Sequence, residues 1–283
     1  MTSATDGRRT VAVVGLGSIG GVAAGVLAAA GRHDVFACAR RPIGRLTLEQ
    51  NHGPVELALP VLTDPAEARP VDWVLLSTKA YHTAATAPWL AHLCTPASRI
   101  AVMQNGIDHA ARVAPDRVRL RHAGKFDAVV ADDETGHAFA SLLEGTPLRI
   151  VFSDDFLTLA WRKLLINAVA NPITALTLQR QAVLRRPDIQ DLCKAILEEA
   201  VAVARADGAR LAQDEAVRTM ATLFDFSGEL GTSMYFDRLA GRPLEADALT
   251  GAIVEGGKRH GIATPLNRAL IALLCAINEG MTA

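Results

Sequence analysis

The sequence lacks the cysteine and histidine patterns of a disulfide scaffold or a metal centre. Its four cysteines lie far apart, without a CxxC pair, and its eight histidines show no HExxH motif or other ligand spacing. We therefore expect free thiols in a reducing, cytoplasmic compartment and no bound metal. The cysteines are Cys38, Cys94, Cys193 and Cys275.

The chain also lacks an excess of charge of either sign. Lys and Arg number 29 against 30 for Asp and Glu, which gives a formal net charge of −1. Because nucleic acids and anionic membranes attract basic surfaces, the balance argues against both as partners. A hydrophobic share of 50% over 283 residues predicts a globular chain that is long enough for two domains.

Only one stretch has the length of a signal or membrane-spanning segment. The uncharged run over residues 11–31 follows Arg8 and Arg9 and so resembles a twin-arginine signal or a membrane span. Glycines interrupt the run, and each glycine inside a helix costs about 1 kcal/mol relative to alanine. Three of these glycines also stand at the spacing of a phosphate-binding loop, so we expect neither export nor membrane insertion.

The pattern along the chain predicts an α/β fold in two domains. Four short apolar runs alternate with helical patterns over Gly20–Ala30 and Thr83–Leu93, which predicts a Rossmann-type parallel sheet within residues 1–153. From about Phe156 the pattern is helical, which predicts an all-helical domain over residues 154–283. The strands are expected at Val11–Val14, Val35–Ala39, Val71–Ser77 and Ile100–Met103.

Particular residues mark where several elements begin and end. Helices are predicted over Gln190–Asp207 and Leu244–His260, each followed by a glycine that suits a helix C-terminus. Thr264-Pro265 supplies an N-cap and a first-turn proline for a last helix. The acidic residues Asp132–Glu134 precede Thr-Gly and are expected in an exposed turn.

A glycine motif follows the first predicted strand. The segment reads Gly-Leu-Gly-Ser-Ile-Gly and opens a helix. In such a motif the first glycine permits a tight turn, the second lets a pyrophosphate approach the backbone, and the third lets the helix pack on the strand. The helix N-terminus adds N–H donors and a positive dipole end. The motif therefore predicts a dinucleotide site, although a glycine-rich turn without ligand has the same pattern. Its residues are Gly15, Leu16, Gly17, Ser18, Ile19 and Gly20.

Polar residues follow the carboxyl ends of three more predicted strands. Arg40 and Arg41 stand where an NAD enzyme places a carboxylate for the ribose 2′-hydroxyl, and their guanidinium groups suit a 2′-phosphate instead. The sequence thus favours NADP(H), with two solvated arginines as the alternative. Lys79 and Asn105 end the next two strands, where open α/β sheets bind ligands. A helix-flanking lysine and an Asn-Gly turn are the alternatives at those positions.

The predicted helical domain contains a polar stripe. Lys163, Asn167 and Asn171 are spaced by four residues, which places them on one face of a helix whose other residues are nearly all apolar. A lysine between apolar walls is suited to donate a proton, and two carboxamides are suited to hold a small oxyacid. A solvated face on a helix that packs on one side only is the alternative.

Together these segments resemble the ketopantoate reductase (2-dehydropantoate 2-reductase) family. The matching pieces are VAVVGLGSIG, STKAY, QNG, WRKLLINAVANPITAL, TSM, and Glu245 with KRHGIATP. The resemblance implies NADPH-dependent reduction of 2-dehydropantoate to pantoate, with Lys163 as the proton donor. It implies substrate contacts from Asn105, Asn167, Asn171 and Ser233. It implies cofactor contacts from Gly15, Leu16, Gly17, Ser18, Ile19, Gly20, Arg40, Lys79, Asn105 and Glu245.

The chain departs from the family pattern at two places. The segment between Asn105 and Lys163 is short, so a strand that closes the sheet is expected to be abbreviated or absent. Gln181 stands where an asparagine is usual among the substrate contacts. These departures leave open a reductase of another 2-oxo acid and a non-catalytic NADP-binding protein, and a homodimer is also open. Without the resemblance, Ser233 is equally well a helix cap and Glu245 a first-turn acid.

Overall fold

The computed structural model describes residues 7–43, 46–50, 53–107, 118–119, 121–123 and 127–282. The chain forms two compact units. The first comprises Met1–Gln104 and His109–Phe156, and the second comprises Asn105–Asp108 and Leu157–Ala283. The predicted boundary at residue 153 lies close to the end of the first unit. The sequence did not predict that Asn105–Asp108 belongs with the second.

The first unit is built on a parallel sheet, as the sequence predicted. The strands are β1 (Thr10–Val14), β2 (Asp34–Cys38), β3 (Leu46–Gln50), β4 (Gly53–Leu57), β5 (Val61–Leu62), β6 (Trp73–Leu76), β7 (Arg99–Val102), β8 (Val118–Arg119), β9 (Arg121–Ala123), β10 (Asp127–Ala131) and β11 (Arg149–Ser153). Six of them form one sheet in the order β5-β2-β1-β6-β7-β8, and every neighbouring pair is parallel. This topology is that of a Rossmann-type domain.

The apolar runs are continuous because both faces of this sheet are covered. Val11 and Val13 of β1 enter one buried cluster, and Ala12 and Val14 enter another on the opposite face. Successive side chains of a strand point to opposite faces, so a strand between two cores has no polar position.

Helices complete both units. They are α1 (Ser18–Ala30), α2 (Ala87–Leu93), α3 (Glu134–Leu142), α4 (Phe156–Thr177), α5 (Pro187–Ala206), α6 (Glu215–Asp225), α7 (Ser233–Leu239), α8 (Ala252–His260) and α9 (Pro265–Thr282). The described residues of the second unit form helices and connecting segments without a strand, as predicted, around a core that includes Trp161, Ile196 and Leu197. Within the described ranges, no helix has the length and apolarity that crossing a membrane requires.

Two predictions for the first unit were only partly right. The helix expected over Thr83–Leu93 is α-helical only from Ala87, after 3₁₀ turns at Ala80–His82 and Ala84–Thr86. Pro88 lies in its first turn, where the missing N–H has no intrahelical partner to lose. The acidic residues Asp132–Glu134 are exposed, as expected, and Asp132 and Asp133 lie outside a helix. Glu134 instead begins α3, because the Asp133 carboxylate caps that helix by accepting a hydrogen bond from the Gly136 N–H at 2.7 Å.

The last strand of the large sheet was expected to be abbreviated or absent; residues 108–117 and 120, which flank it, lie outside the described residues, so that expectation stays a prediction. In the described part of the chain, β8 pairs with β7 only through Ala101–Val118 and Val102–Arg119. Two further sheets were not predicted. The strands β3 and β4 pair antiparallel, and β11, β10 and β9 form a three-stranded sheet in that order.

Three helix boundaries in the second unit were predicted correctly, and one predicted helix is not continuous. Gly261, at φ +67°, is the C-cap of α8, and α9 begins at Pro265. α5 is followed by Gly208 at φ +95°, which supports the predicted C-terminal glycine. The helix expected over Leu244–His260 is instead a π turn at Asp247–Gly251 followed by α8. The wider turn follows from the Gly251 N–H, which donates to the Ala246 carbonyl at 2.9 Å.

Candidate active site

The three glycines of the motif meet three different physical requirements. Gly15 has a φ of +96°, which favours glycine, and its N–H donates to the Cys38 carbonyl at 3.0 Å. A Cβ added at Gly20 would lie 2.0 Å from the Gly15 carbonyl oxygen, so only glycine lets the helix approach the strand. A Cβ added at Gly17 would meet nothing within 4 Å. The loop is thus tightly packed at its ends and open at its middle.

The N-terminus of α1 fits an anionic group. Gly17 is its N-cap, no side chain caps the helix, and the first turn contains no acidic residue. Ser18 and Ile19 are exposed, and Leu16 is half-buried. The N–H groups of a helix start need acceptors, and a pyrophosphate supplies them. The residues present therefore fit a dinucleotide.

The sheet order brings the other strand-end residues to the same edge. β1 lies between β2, which precedes the exposed Arg40 and Arg41, and β6, which precedes the half-buried Lys79. Burial and the nearby positive charge of Arg40 lower the pKa of His82. Arg40 therefore lies close to the turn that follows Lys79. Nothing in the sequence pattern singles out His82.

Gln104, a second residue that sequence reasoning missed, holds two strand ends together. Gln104 is buried, and its Nε2 donates to the Thr78 carbonyl at 3.0 Å and to the Thr83 hydroxyl at 2.9 Å. These bonds fix the end of β7 against the segment that follows β6. A glutamine directly before Asn105 at a buried strand end was the only available signal.

The polar stripe lies on a helix that is largely buried. Asn171 is only 3% exposed, and Lys163 and Asn167 are half-buried. The flanking Trp161 and Leu165 are fully buried. The alternative of a fully solvated helix face therefore does not hold.

Asn171 contacts Ser233, although the two residues are far apart in the sequence. The Asn171 Oδ1 accepts hydrogen bonds from the Ser233 hydroxyl at 3.3 Å and from the Met234 N–H at 3.2 Å. The alternative that Ser233 caps α7 is wrong, because the Thr232 hydroxyl accepts from the Tyr235 N–H at 3.1 Å. Asn171 thus fixes the start of α7 and the position of Ser233.

Asn105 and Glu245 also come together. The Asn105 Nδ2 donates to the Glu245 Oε2 at 3.0 Å, and Glu245 is 6% exposed. The residue after Asn105 has a φ of +106°, which its identity as Gly106 permits. Glu245 lies before the π turn and not in the first turn of a helix, so the first-turn alternative is wrong.

An ion pair between the exposed Arg162 and the buried Glu215 holds the helix that carries the stripe. Arg162 donates from Nε and Nη2 to both oxygens of Glu215, at 2.8 and 3.3 Å. Burial would raise the pKa of Glu215, but hydrogen bonds from Arg162 and the Ala212 N–H lower it on balance. Because Arg162 adjoins Lys163, this pair fixes α4 against α6 next to the stripe. The sequence alone did not reveal it.

The Gln181 backbone contacts the segment that precedes Ser233. Its N–H donates to the Leu230 carbonyl at 3.0 Å, and the Thr232 and Thr174 hydroxyls lie 2.7 Å apart. The Gln181 Oε1 is buried and has no hydrogen-bond partner among the described residues. A buried acceptor in this state is uncommon in native proteins.

The chain combines a Rossmann sheet and its open glycine loop with a helical domain that has a lysine and two carboxamides on one helix face. This combination is typical of a nicotinamide-dependent oxidoreductase. Comparison with known proteins narrows the class. The family model described as "Ketopantoate reductase PanE/ApbA" matches residues 11–124, and "Ketopantoate reductase PanE/ApbA C terminal" matches residues 155–278. The chain belongs to the ketopantoate reductase family and is an oxidoreductase.

Relatives match over nearly their whole length. The 2-dehydropantoate 2-reductase of Caulobacter vibrioides is 36% identical over 94% of this chain and 98% of its own. That of Mycobacterium tuberculosis is 36% identical over 95% and 98%. A solved structure, the dimeric ketopantoate reductase from Staphylococcus aureus, has a TM-score of 0.86 at 23% identity and covers 96% of this chain and 99% of that one.

Proposed function

We propose that the protein catalyses NADPH-dependent reduction of 2-dehydropantoate to pantoate. The observation that carries this proposal is the constellation on the second unit. Lys163, Asn167 and Asn171 share one face of a buried helix, and Asn171 contacts Ser233. Relatives that are 36% identical over most of the chain are named for this activity.

NADP(H) is the proposed cofactor, held by the first unit as a nucleotide-binding domain over residues 1–153. Gly15–Gly20 and the start of α1 would hold the pyrophosphate, and Arg40, assisted by Arg41, would pair with the 2′-phosphate. Lys79 would add a further cation at the same edge of the sheet. When bound, the nicotinamide supplies a hydride to the substrate carbonyl carbon.

The catalytic proposal concerns Lys163. Reduction of a 2-oxo acid leaves negative charge on the former carbonyl oxygen, which requires a proton or a positive neighbour. Lys163 would donate that proton from its Nζ. Its half-buried position on a largely apolar helix suits such a role, because few water molecules compete for the developing charge there.

The remaining side chains would hold the substrate and the cofactor. The Asn171 Oδ1 already accepts two hydrogen bonds, so its substrate contact falls to Nδ2. Asn167 and Ser233 would bind the oxo acid beside it. Asn105 and the Glu245 carboxylate, which are hydrogen-bonded to each other, would contact the cofactor, with Asn105 also reaching the substrate.

Gln181 favours a particular feature of the substrate. Its buried Oε1 needs a hydrogen-bond donor, whereas the carboxylate and the keto group of a 2-oxo acid only accept. The hydroxyl of 2-dehydropantoate is such a donor. If another 2-oxo acid is the substrate, which is the second candidate, the same argument requires that it carry a hydroxyl or an N–H.

The proposal is tested by following NADPH absorbance against a panel of 2-oxo acids. The panel includes 2-dehydropantoate and 3,3-dimethyl-2-oxobutyrate, which is the same molecule without the hydroxyl. We expect a preference for 2-dehydropantoate of at least about 10²-fold in kcat/KM, because a site that accepts a substrate hydroxyl rejects the analogue that lacks it. Turnover of neither compound would contradict the proposed function.

We also propose a cellular location and an oligomeric state. A cytoplasmic location agrees with four free cysteines, of which Cys38 and Cys193 are buried. Burial raises the pKa of both thiols to about 12, which leaves them unreactive. A homodimer is proposed because the Staphylococcus aureus structure is described as dimeric.

A further inference from the structure

The last helix, α9, holds the short segment that carries Glu245. Residues 242–245 precede the π turn and belong to no helix or strand. The Asn278 side chain binds both backbone groups of Leu244, the residue before Glu245. Its Oδ1 accepts the Leu244 N–H at 2.7 Å, and its Nδ2 donates to the Leu244 carbonyl at 3.0 Å. A carboxamide is suited to this contact because one planar group offers both an acceptor and a donor.

These two hydrogen bonds fix the backbone from which the Glu245 side chain projects. Leu244 is 2% exposed, so water does not readily replace a lost partner, and an unpaired buried backbone group is costly. The Leu244 carbonyl also belongs to the peptide group that contains the Glu245 N–H. Because a peptide group is planar, fixing this carbonyl fixes the orientation of the chain at Glu245.

The contact at Asn278 is one end of a longer contact along α9. A Cβ added at Gly251 would lie 3.0 Å from the Ile271 Cδ1. Burial and the nearby negative charge of Asp247 raise the pKa of the Cys275 thiol, so those two residues lie close together. Residues spaced by four and then three share one face of a helix. The face of α9 at Ile271, Cys275 and Asn278 therefore runs along the π turn and the residues before it, in the opposite direction.

The Glu245 side chain extends this chain of contacts to Asn105. Glu245 is 6% exposed, and its Oε2 accepts a hydrogen bond from the Asn105 Nδ2 at 3.0 Å. A carboxylate this deeply buried depends on its surroundings for its orientation, since few water molecules reach it. A shift of the backbone at Leu244 would thus displace the carboxylate and its contact with Asn105.

We propose that Asn278 is a positioning residue, which fixes the backbone at Leu244 so that the Glu245 carboxylate meets Asn105 in the orientation that the cofactor requires. The inference rests on the proposed function, in which Glu245 and Asn105 contact NADP(H). Asn278 acts on the cofactor through Glu245. Its removal should therefore weaken NADPH binding by misplacing a contact residue.

The first test separates positioning from stability. Asn278→Ala should weaken NADPH binding about tenfold, because misplacing a contact residue removes much of its benefit. Asn278→Asp keeps the acceptor for the Leu244 N–H but lacks the donor for its carbonyl. It should weaken binding in the same direction and serves if the alanine variant does not fold. Fluorescence titration with NADPH measures the dissociation constants, and melting temperatures report the stability of each variant.

The matched control is Asn267→Ala on the same helix. Asn267 is fully buried, and its Nδ2 donates to the Ile196 carbonyl at 3.3 Å and to the Glu199 Oε2 at 2.8 Å, both on α5. This variant should lower the melting temperature at least as much as Asn278→Ala and leave NADPH affinity unchanged. Unchanged affinity in both Asn278 variants, or an equal loss in the control, contradicts the proposal.

The second test is a double-mutant cycle with Glu245→Ala. If Asn278 acts through Glu245, Asn278→Ala should have almost no further effect on NADPH affinity once the Glu245 side chain is removed. A purely structural role would give the same loss in both backgrounds. NADPH dissociation constants of the parent, the two single variants and the double variant complete the cycle.

The outcomes distinguish this inference from the proposed function. Additive losses in the cycle contradict the role of Asn278 and leave the proposed function standing. A Glu245→Ala variant that binds NADPH as tightly as the parent contradicts the proposed Glu245 contact and this inference with it. A parent that binds NADPH but does not reduce 2-dehydropantoate contradicts the proposed function, and the cycle still measures the coupling. A parent that does not bind NADPH contradicts both.

Discussion

The two units differ in whether backbone groups or side chains make their proposed contacts. In the first unit the contacts proposed for the nucleotide come mainly from backbone, at Gly15, Gly17 and Gly20. In the second unit they come from side chains such as Lys163 and Asn171, and the position of Asn171 depends on contacts with Ser233 and Met234. Substitutions should therefore fail in different ways. Those in the glycine loop should reduce cofactor affinity, and those in the stripe of α4 should reduce the rate.

The largest effect is expected at Lys163. Lys163→Ala should lower kcat by about 10²–10⁴, the contribution of a positioned general acid, and leave NADPH affinity nearly unchanged. Lys163→Arg should rescue poorly, because a guanidinium keeps the charge but does not readily release a proton. Steady-state kinetics with 2-dehydropantoate measure both. The control is Lys194→Ala, which removes an exposed lysine from α5, and an equal loss there would show that the effect is not specific.

The next effect sharpens the role of backbone in the first unit. Gly20→Ala puts a Cβ 2.0 Å from the Gly15 carbonyl oxygen, and overpacking of this kind costs about 1–3 kcal/mol. NADPH should bind about tenfold more weakly or worse. Gly21→Ala is the matched control, since its Cβ meets nothing within 4 Å and alanine favours the helix. Cofactor titration of both variants checks this, and similar affinities would contradict the packing argument.

A smaller and more selective effect is expected at Arg40. Loss of a charge-assisted hydrogen bond costs about 1.5–3 kcal/mol, so Arg40→Ala should weaken NADPH binding by that amount. NADH lacks the 2′-phosphate and should bind the variant almost as well as the parent. Measured dissociation constants for both cofactors decide the matter. Equal losses would mean that Arg40 does not contact the 2′-phosphate.

The smallest effect concerns one buried imidazole in the first unit. His33 is 8% exposed, accepts the Arg9 N–H at Nδ1 and lies 3.0 Å from the Leu142 carbonyl at Nε2. Both contacts suit the neutral ring, and burial lowers the pKa of His33. Below about pH 6.5 the unfolded chain then binds more protons than the folded one, so stability is lost as pH falls.

The matched variant for this prediction is His33→Gln, which keeps a donor and an acceptor but does not titrate. Melting temperatures should fall more for the parent than for His33→Gln between neutral and mildly acidic pH. Identical pH profiles would show that protonation of His33 is not coupled to folding.

Local features of the sequence were predicted more reliably than distant contacts. The four main strands and the glycine motif follow from patterns within a few residues, because burial on both faces and tight turns leave local signatures. The contacts Asn171–Ser233 and Asn105–Glu245 join segments far apart in the chain, and nothing in the spacing of the residues indicates them. Only the family resemblance grouped those residues.

Other features were missed because tertiary contacts override local preference. The Arg162–Glu215 pair depends on how α4 packs on α6. The π turn at Asp247–Gly251 interrupts a segment whose sequence reads as a regular helix. The pairing of β9, β10 and β11 was also not evident, since strand partners depend on the whole chain.

The most direct test of the difference between the units is a single-turnover measurement on two variants side by side. Lys163→Ala and Gly20→Ala are mixed with NADPH at several concentrations and saturating 2-dehydropantoate, and NADPH oxidation is followed. We predict that Lys163→Ala stays slow at every NADPH concentration, whereas Gly20→Ala approaches the parent's rate once NADPH is saturating. A Lys163→Ala rate within a few-fold of the parent would contradict the assignment of the chemistry to the second unit.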